Sequence, residues 1–208
     1  MRRSVLIIAL ITASWLFAQD VKPVALPQPQ TAGGKPLMQV LKDRKTTRDF
    51  ATDKLSPQLL SNLLWAAFGV NRPDGRRTAP SAMNWQEMDI YVATAEGLFV
   101  YDAKDNRLEP VLAQDIRGAT GTQSFVAAAP LNLVYVADLA KVGSGPDREM
   151  FTAADAGFIS QNVYLFCASE GLATVVRGSM DRVALAKAMK LRPQQKIILA
   201  QTVGYPKK

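Results

Sequence analysis

Residues 148–173 read REMFTAADAGFISQNVYLFCASEGLA, and how this stretch folds decides the architecture. It contains no proline, and its spacing predicts one long helix of about six turns. Its middle is apolar on most sides, so the helix belongs deep in the core or at a subunit interface. Ala153, Gly157 and Ser160 make a strip of small residues where another backbone can approach closely; ordinary core packing explains the strip equally well. Asp155 is a candidate acid or base, with a satisfied structural carboxylate as the simpler reading. Cys167 lies in the apolar run and reads as a core residue.

Downstream, MDRVALAKAMKL places Asp181 as the N-cap of a shorter helix, and QKIILAQTVGYP is the last strand. Upstream, LNLVYVAD (Leu131 to Asp138) reads as a buried strand. EMDIYVAT and GLFVYD are two strands joined by a tight turn at Ala95 and Glu96. NRLEPVL continues as a third, with Pro110 marking an edge. Earlier still, SPQLLSNLLWAAFG has Ser56 as N-cap, Pro57 at the first helical position and Gly69 as a stop. The element order is helix, helix, two or three strands, strand, long helix, helix, strand. This is an α+β layout, with a central, mostly antiparallel sheet surrounded by helices.

The N-terminus is of another kind. MRRSVLIIALITASWLFA, residues 1–18, couples Arg2 and Arg3 to an apolar run too short to span a membrane comfortably. It reads as a secretory signal peptide, with an uncleaved N-terminal anchor as the alternative, and implies export, to the periplasm. Residues 19–36 are rich in Pro, Gly and Gln and read as a flexible leader. The folded domain is expected over residues 37–208.

The chain of 208 residues contains no histidine and one cysteine. A Ser-His-Asp triad, a Cys-His pair and a histidine zinc site are therefore excluded, as is an internal disulfide. The sequence has no GxGxxG and no P-loop. The net charge is +7, or +5 without Arg2 and Arg3, but there is no long Lys/Arg run interleaved with aromatics, which argues against nucleic acid. A chain with so few catalytic side chains is a binding module or lets a cofactor carry the reaction.

RKTTRDF, Arg44 to Phe50, concentrates three cations and two hydroxyls in its first five residues. Guanidinium groups bind phosphate oxygens in forks, and a hydroxyl or backbone N–H completes the shell. A solvated helix end with basic residues near its dipole is the competing reading of this fragment alone.

Four segments together carry a resemblance. RKTTRDF is similar to an R-[RH]-S-x-[RK]-x-F segment, and APSAMNWQEMDIYV to a PS-x-x-N-x-Q segment with the strand behind it. FTAADAGFISQNVYLFCASEGLATVVRGSMD resembles a D-x-G-x-x-x-x-N helix followed by a glycine-containing loop. VGYPKK resembles a φ-G-Y-P ending. In this order they resemble the nitroreductase family of flavoenzymes, and NRPDGRRTAPSA is most similar to its small thiazoline-oxidase-like branch.

The resemblance implies an FMN cofactor and an intertwined homodimer, with the long helix at the interface and small-molecule electron donors and acceptors. Carried over by position, it implies that Arg44, Lys45, Thr46 and Arg48 grip the ribityl phosphate. Pro80, Ser81, Ala82 and Asn84 would line the flavin from the partner subunit, with Asn84 on the polar edge of the ring. Val176, Arg177 and Gly178 would form a turn presenting backbone N–H groups near N5, and Lys207 or Lys208 would add a cation near the phosphate. Lys45 and Thr46 stand where Arg or His and Ser are usual. Arg177 replaces a carboxylate or neutral group, so it would favour an anionic substrate. The expected activity is electron or hydride transfer through the flavin; the alternative is an exported, non-redox FMN-binding protein of the same fold.

Overall fold

LNLVYVAD is buried at all eight positions because it runs through the middle of a sheet covered on both faces. The computed structural model describes residues 21–208, so the expected signal peptide lies outside the described residues. The elements are β1 (Val24–Ala25), α1 (Leu37–Asp43), α2 (Pro57–Phe68), β2 (Met88–Thr94), β3 (Gly97–Asp102), β4 (Arg107–Leu112), α3 (Phe125–Ala128), β5 (Leu131–Asp138), α4 (Arg148–Glu170), β6 (Ala173–Arg177), α5 (Arg182–Ala188) and β7 (Gln195–Gly204). The strands pair antiparallel in the order β1-β4-β3-β2-β5-β7-β6.

Alternate residues of the central strands serve opposite layers. Ile90, Val92, Leu133 and Tyr135 pack with Leu63, Leu64 and Phe68 of α2 and Ile159 and Val163 of α4. Tyr91, Ala93, Val134 and Val136 pack on the other face with Leu185 and Met189 beside α5. Two covered faces make these antiparallel strands nearly continuous in apolar residues, where a solvated sheet would alternate.

The caps follow the sequence. Ser56 accepts from the Leu59 N–H, and Asp181 accepts from Val183 and Ala184. The long helix ends at Gly171, whose φ of 72° is the left-handed conformation a C-terminal glycine supplies.

Two expectations are corrected. The described part of the leader is not a loose tether, since β1 pairs with β4 and Leu26 is buried. Prolines cannot donate, but their carbonyls accept: Pro27 O receives Ser61 Oγ at 2.5 Å and Asn106 Nδ2 at 2.7 Å. Gln30 N–H and the Gln28 carbonyl bond Asn62 and Gln58 of α2. A segment poor in apolar side chains is thus held by its backbone. The second correction concerns VVRG: Val176 and Arg177 end strand β6, at the sheet edge, and do not form a turn.

Candidate functional site

Residues 44–49 follow α1 outside any helix or strand, and their side chains divide between two surroundings. Lys45, Thr47 and Asp49 line a cleft of about 690 Å³ together with Lys42, Tyr164, Thr174 and Lys207. Arg44 and Thr46 instead meet Tyr164 of α4. The Arg44 guanidinium lies 5.3 Å from the Tyr164 ring centroid, and Thr46 Oγ1 is 3.0 Å from Tyr164 Oη. Tyr164 Oη also accepts the Val176 N–H of edge strand β6 at 3.0 Å.

The main chain fixes this segment on two sides. The Thr47 N–H donates to Thr174 O at 3.0 Å, tying it to β6. Ala51 N–H donates to Tyr205 O, and Lys207 N–H to Asp49 O, which stitches the C-terminal residues alongside. That pairing brings Lys207 into the cleft lined by Lys45. Among the described residues, Arg44, Lys45, Arg48 and Lys207 have no ion-pair partner, although Asp49 lines the same cleft. A set of unneutralised cations beside hydroxyls is chemically suited to a phosphate dianion.

The loop Pro80–Gln86 is built separately. Ala82 N–H donates to Asp155 Oδ2 at 2.9 Å, and Gln86 N–H to Ser81 Oγ at 3.0 Å. Arg77 Nε holds Gln86 Oε1 at 2.9 Å, while its guanidinium covers the Phe68 ring at 4.5 Å. Met83, Asn84 and Gln86 all have positive φ, at 52°, 56° and 46°. Each such conformation costs on the order of 1 kcal/mol and persists only where surrounding bonds enforce it. Trp85 closes the loop edge-on against Phe151 of α4, with Gly143 also close to its ring.

The two halves hang from one helix. Asp155 holds the loop and Tyr164 holds the basic segment, nine residues and about 13 Å apart along α4. Lys45 and Lys207 come together in one cleft, and Thr46 and Val176 meet through Tyr164. Pro80, Ser81, Ala82 and Asn84 do not line that cleft.

Arg177 departs from the expectation of an outward, anion-facing group. It is 4% exposed, and its guanidinium donates to Thr120 O at 2.7 Å, Asn132 Oδ1 at 2.9 Å and Thr202 Oγ1 at 3.0 Å. A Cβ at Gly121 would collide with it. Burial lowers its pKa to about 10, which leaves it charged at neutral pH. Because β6 is a strand, its side chains alternate, and Arg177 points inward. Cys167 is buried in the core, and burial pushes its thiol far up.

Two residues escaped the sequence reading. Tyr164 sits in an apolar helical run where a tyrosine signals only bulk. Glu87 is fully buried immediately before β2, with both carboxyl oxygens unpartnered among the described residues. Burial, and then the Asp155 charge, raise its pKa to about 7. An acidic residue just ahead of an alternating strand was the available signal.

The Nitroreductase family profile matches residues 41–205. A nitroreductase-like protein of Methanocaldococcus jannaschii is 28% identical over 168 residues, covering 75% of this chain and 85% of that protein. A crystal structure of a nitroreductase-like protein from Ralstonia eutropha JMP134 is 45% identical, with a TM-score of 0.86, covering 90% of this chain and 91% of that one. A Desulfovibrio desulfuricans protein solved in complex with FMN shares the fold at a TM-score of 0.63 and 21% identity, over 85% of this chain and 89% of its own. With four motif segments in order on this fold, and a family match spanning nearly the whole described domain, the chain belongs to the nitroreductase family.

Proposed function

We propose that this protein is an FMN-dependent oxidoreductase, moving two electrons or a hydride from a reduced donor, NAD(P)H or another, to a small electron-poor acceptor such as a nitroaromatic or a quinone. The observation that carries the reading is the basic segment Arg44, Lys45 and Arg48 with Lys207 stitched alongside it, all without an ion-pair partner among the described residues, of which Lys45 and Lys207 share one cleft. This donor set fits a terminal phosphate. When bound, FMN supplies the two-electron chemistry, for which the side chains here are poorly equipped. The chain's own work is to bind and orient: cations and Thr46 at the phosphate, and the strained 80–84 loop at the ring.

Pro80, Ser81, Ala82 and Asn84 do not line the cleft shared by Lys45 and Lys207, which supports a site completed between two copies. Leu37, Met38 and Leu41 of α1 and Phe151 and Phe158 of α4 are exposed, an apolar surface suited to a second subunit. The space over Gly157 is open as well. Phe158→Asp is expected to convert a dimer to a monomer in analytical ultracentrifugation. Arg2, Arg3 and the apolar run after them support export to the periplasm.

The test is the absorption spectrum of the purified mature protein, followed by FMN titration and turnover with NADPH and a quinone. A flavin spectrum and donor oxidation are expected. A colourless protein that takes up no added FMN would overturn the reading.

A further inference from the structure

Glu87 is completely buried, and neither carboxyl oxygen receives a hydrogen bond from a donor group among the described residues. An isolated buried carboxylate is so unfavourable that such a group keeps its proton. Its neighbour across the layer is Asp155 of α4, itself buried, whose Oδ2 takes the Ala82 N–H at 2.9 Å. The other charges around Glu87 are few. Lys141 favours its ionised form but lies 3.6 Å from Asp89. Asp138, whose N–H donates to Glu87 O, is paired with Arg192 at 2.6 Å, and Arg77 is turned to Phe68 and Gln86.

The strained Pro80–Gln86 loop runs directly into Glu87 and is bonded to its neighbour Asp155. It carries three left-handed residues and is anchored to α4 by the Ala82–Asp155 bond and the Trp85–Phe151 contact. A second negative charge beside Asp155 would have to draw in water or donors, which competes with the Ala82 anchor.

We propose that Glu87 is a positioning residue, which holds one proton in a buried carboxyl pair with Asp155 and whose ionisation loosens the Ala82 anchor and the 80–86 loop beside it. Its bearing on cofactor binding rests on the flavin reading given above. Burial, and then Asp155, raise the Glu87 pKa to about 7, above the ordinary 4.5. The unfolded chain therefore loses this proton first. Stability falls as pH rises from about 4.5 to about 7 and levels off beyond.

The experiment compares wild type with Glu87→Gln and Asp155→Asn, using cofactor-free protein and then FMN as the probe. Exchange protection of the Ala82 amide, corrected for intrinsic rates, should decline in wild type between pH 6 and 8 and stay flat in Glu87→Gln. Asp155→Asn retains an acceptor for Ala82 and should move the decline to lower pH. If the loosened loop does not bind, wild-type FMN affinity should drop about tenfold from pH 6 to 8, the competent fraction being roughly one in ten. In Glu87→Gln it should not change. An Ala82 profile in Glu87→Gln that matches wild type would overturn the proposal. If neither protein binds FMN at any pH while the Ala82 profiles differ as expected, the flavin reading fails and the carboxyl pair stands.

Discussion

Tyr164 Oη lies 3.0 Å from Thr46 Oγ1 and accepts the Val176 N–H at the same distance, so one hydroxyl joins the basic segment, the long helix and the edge strand. Removing it leaves a backbone donor at the sheet edge without its partner. Tyr164→Phe should cost about 1–3 kcal/mol. Urea denaturation with an unchanged m-value checks the cost, and FMN titration should show weaker binding as the 44–48 segment loses its register. A variant as stable as wild type would mean that water replaces the hydroxyl fully.

Arg44 and Arg48 have no ion-pair partner among the described residues, so replacing either should spare the fold. Each charged hydrogen bond to a phosphate is worth about 1.5–3 kcal/mol, or roughly ten- to a hundredfold in affinity. Arg44→Ala and Arg48→Ala are expected to weaken FMN by that factor while the thermal midpoint moves by only a few degrees. Fluorescence titration and calorimetry read the two quantities separately. Unchanged flavin affinity would place the phosphate elsewhere.

Arg177→Met should do the reverse. It strips the cation from Thr120, Asn132 and Thr202 and leaves buried acceptors unsatisfied, at a cost of about 2–4 kcal/mol. The expected result is a lower midpoint in urea with FMN affinity nearly intact in the folded fraction. Altered selectivity for anionic acceptors at unchanged stability would restore a substrate-facing role.

The segment before α1 can be tested through Asn106. Its side chain bonds Pro27 O, Ser61 Oγ and the Tyr101 hydroxyl, and its φ of 47° suits asparagine better than alanine. Asn106→Ala should destabilise by about 2–3 kcal/mol and expose residues 21–36 to protease. Limited proteolysis checks this; a truly flexible leader would be cut equally in both proteins.

The fold was legible wherever one periodic signal dominated. The 148–170 helix, the buried run 131–138 and the caps Ser56 and Asp181 all stand where the sequence places them. VVRG was misread because two β-branched residues before Arg-Gly suit a strand end as well as a turn, and only pairing with β7 decides. The leader was misread because polar and proline composition reports few apolar contacts but says nothing of carbonyls accepting from Asn106 and Ser61. Of the candidate site, the basic segment and the 80–84 loop are legible as motifs. Their attachment to α4 through Tyr164 and Asp155 is not, since those contacts span 118 and 73 residues of chain.

Strand β6 ends the sheet, and a bare edge invites another chain to pair with it. Here the neighbour is the 44–48 segment, joined by the Thr47–Thr174 bond and the Tyr164 hydroxyl and carrying Arg44, Lys45 and Arg48. Two copies that approached edge to edge would bring these cations together. A segment so charged disfavours such pairing by like-charge repulsion. Such protection weakens as salt rises. Ligand-free protein should consequently self-associate more readily at high ionic strength than at low.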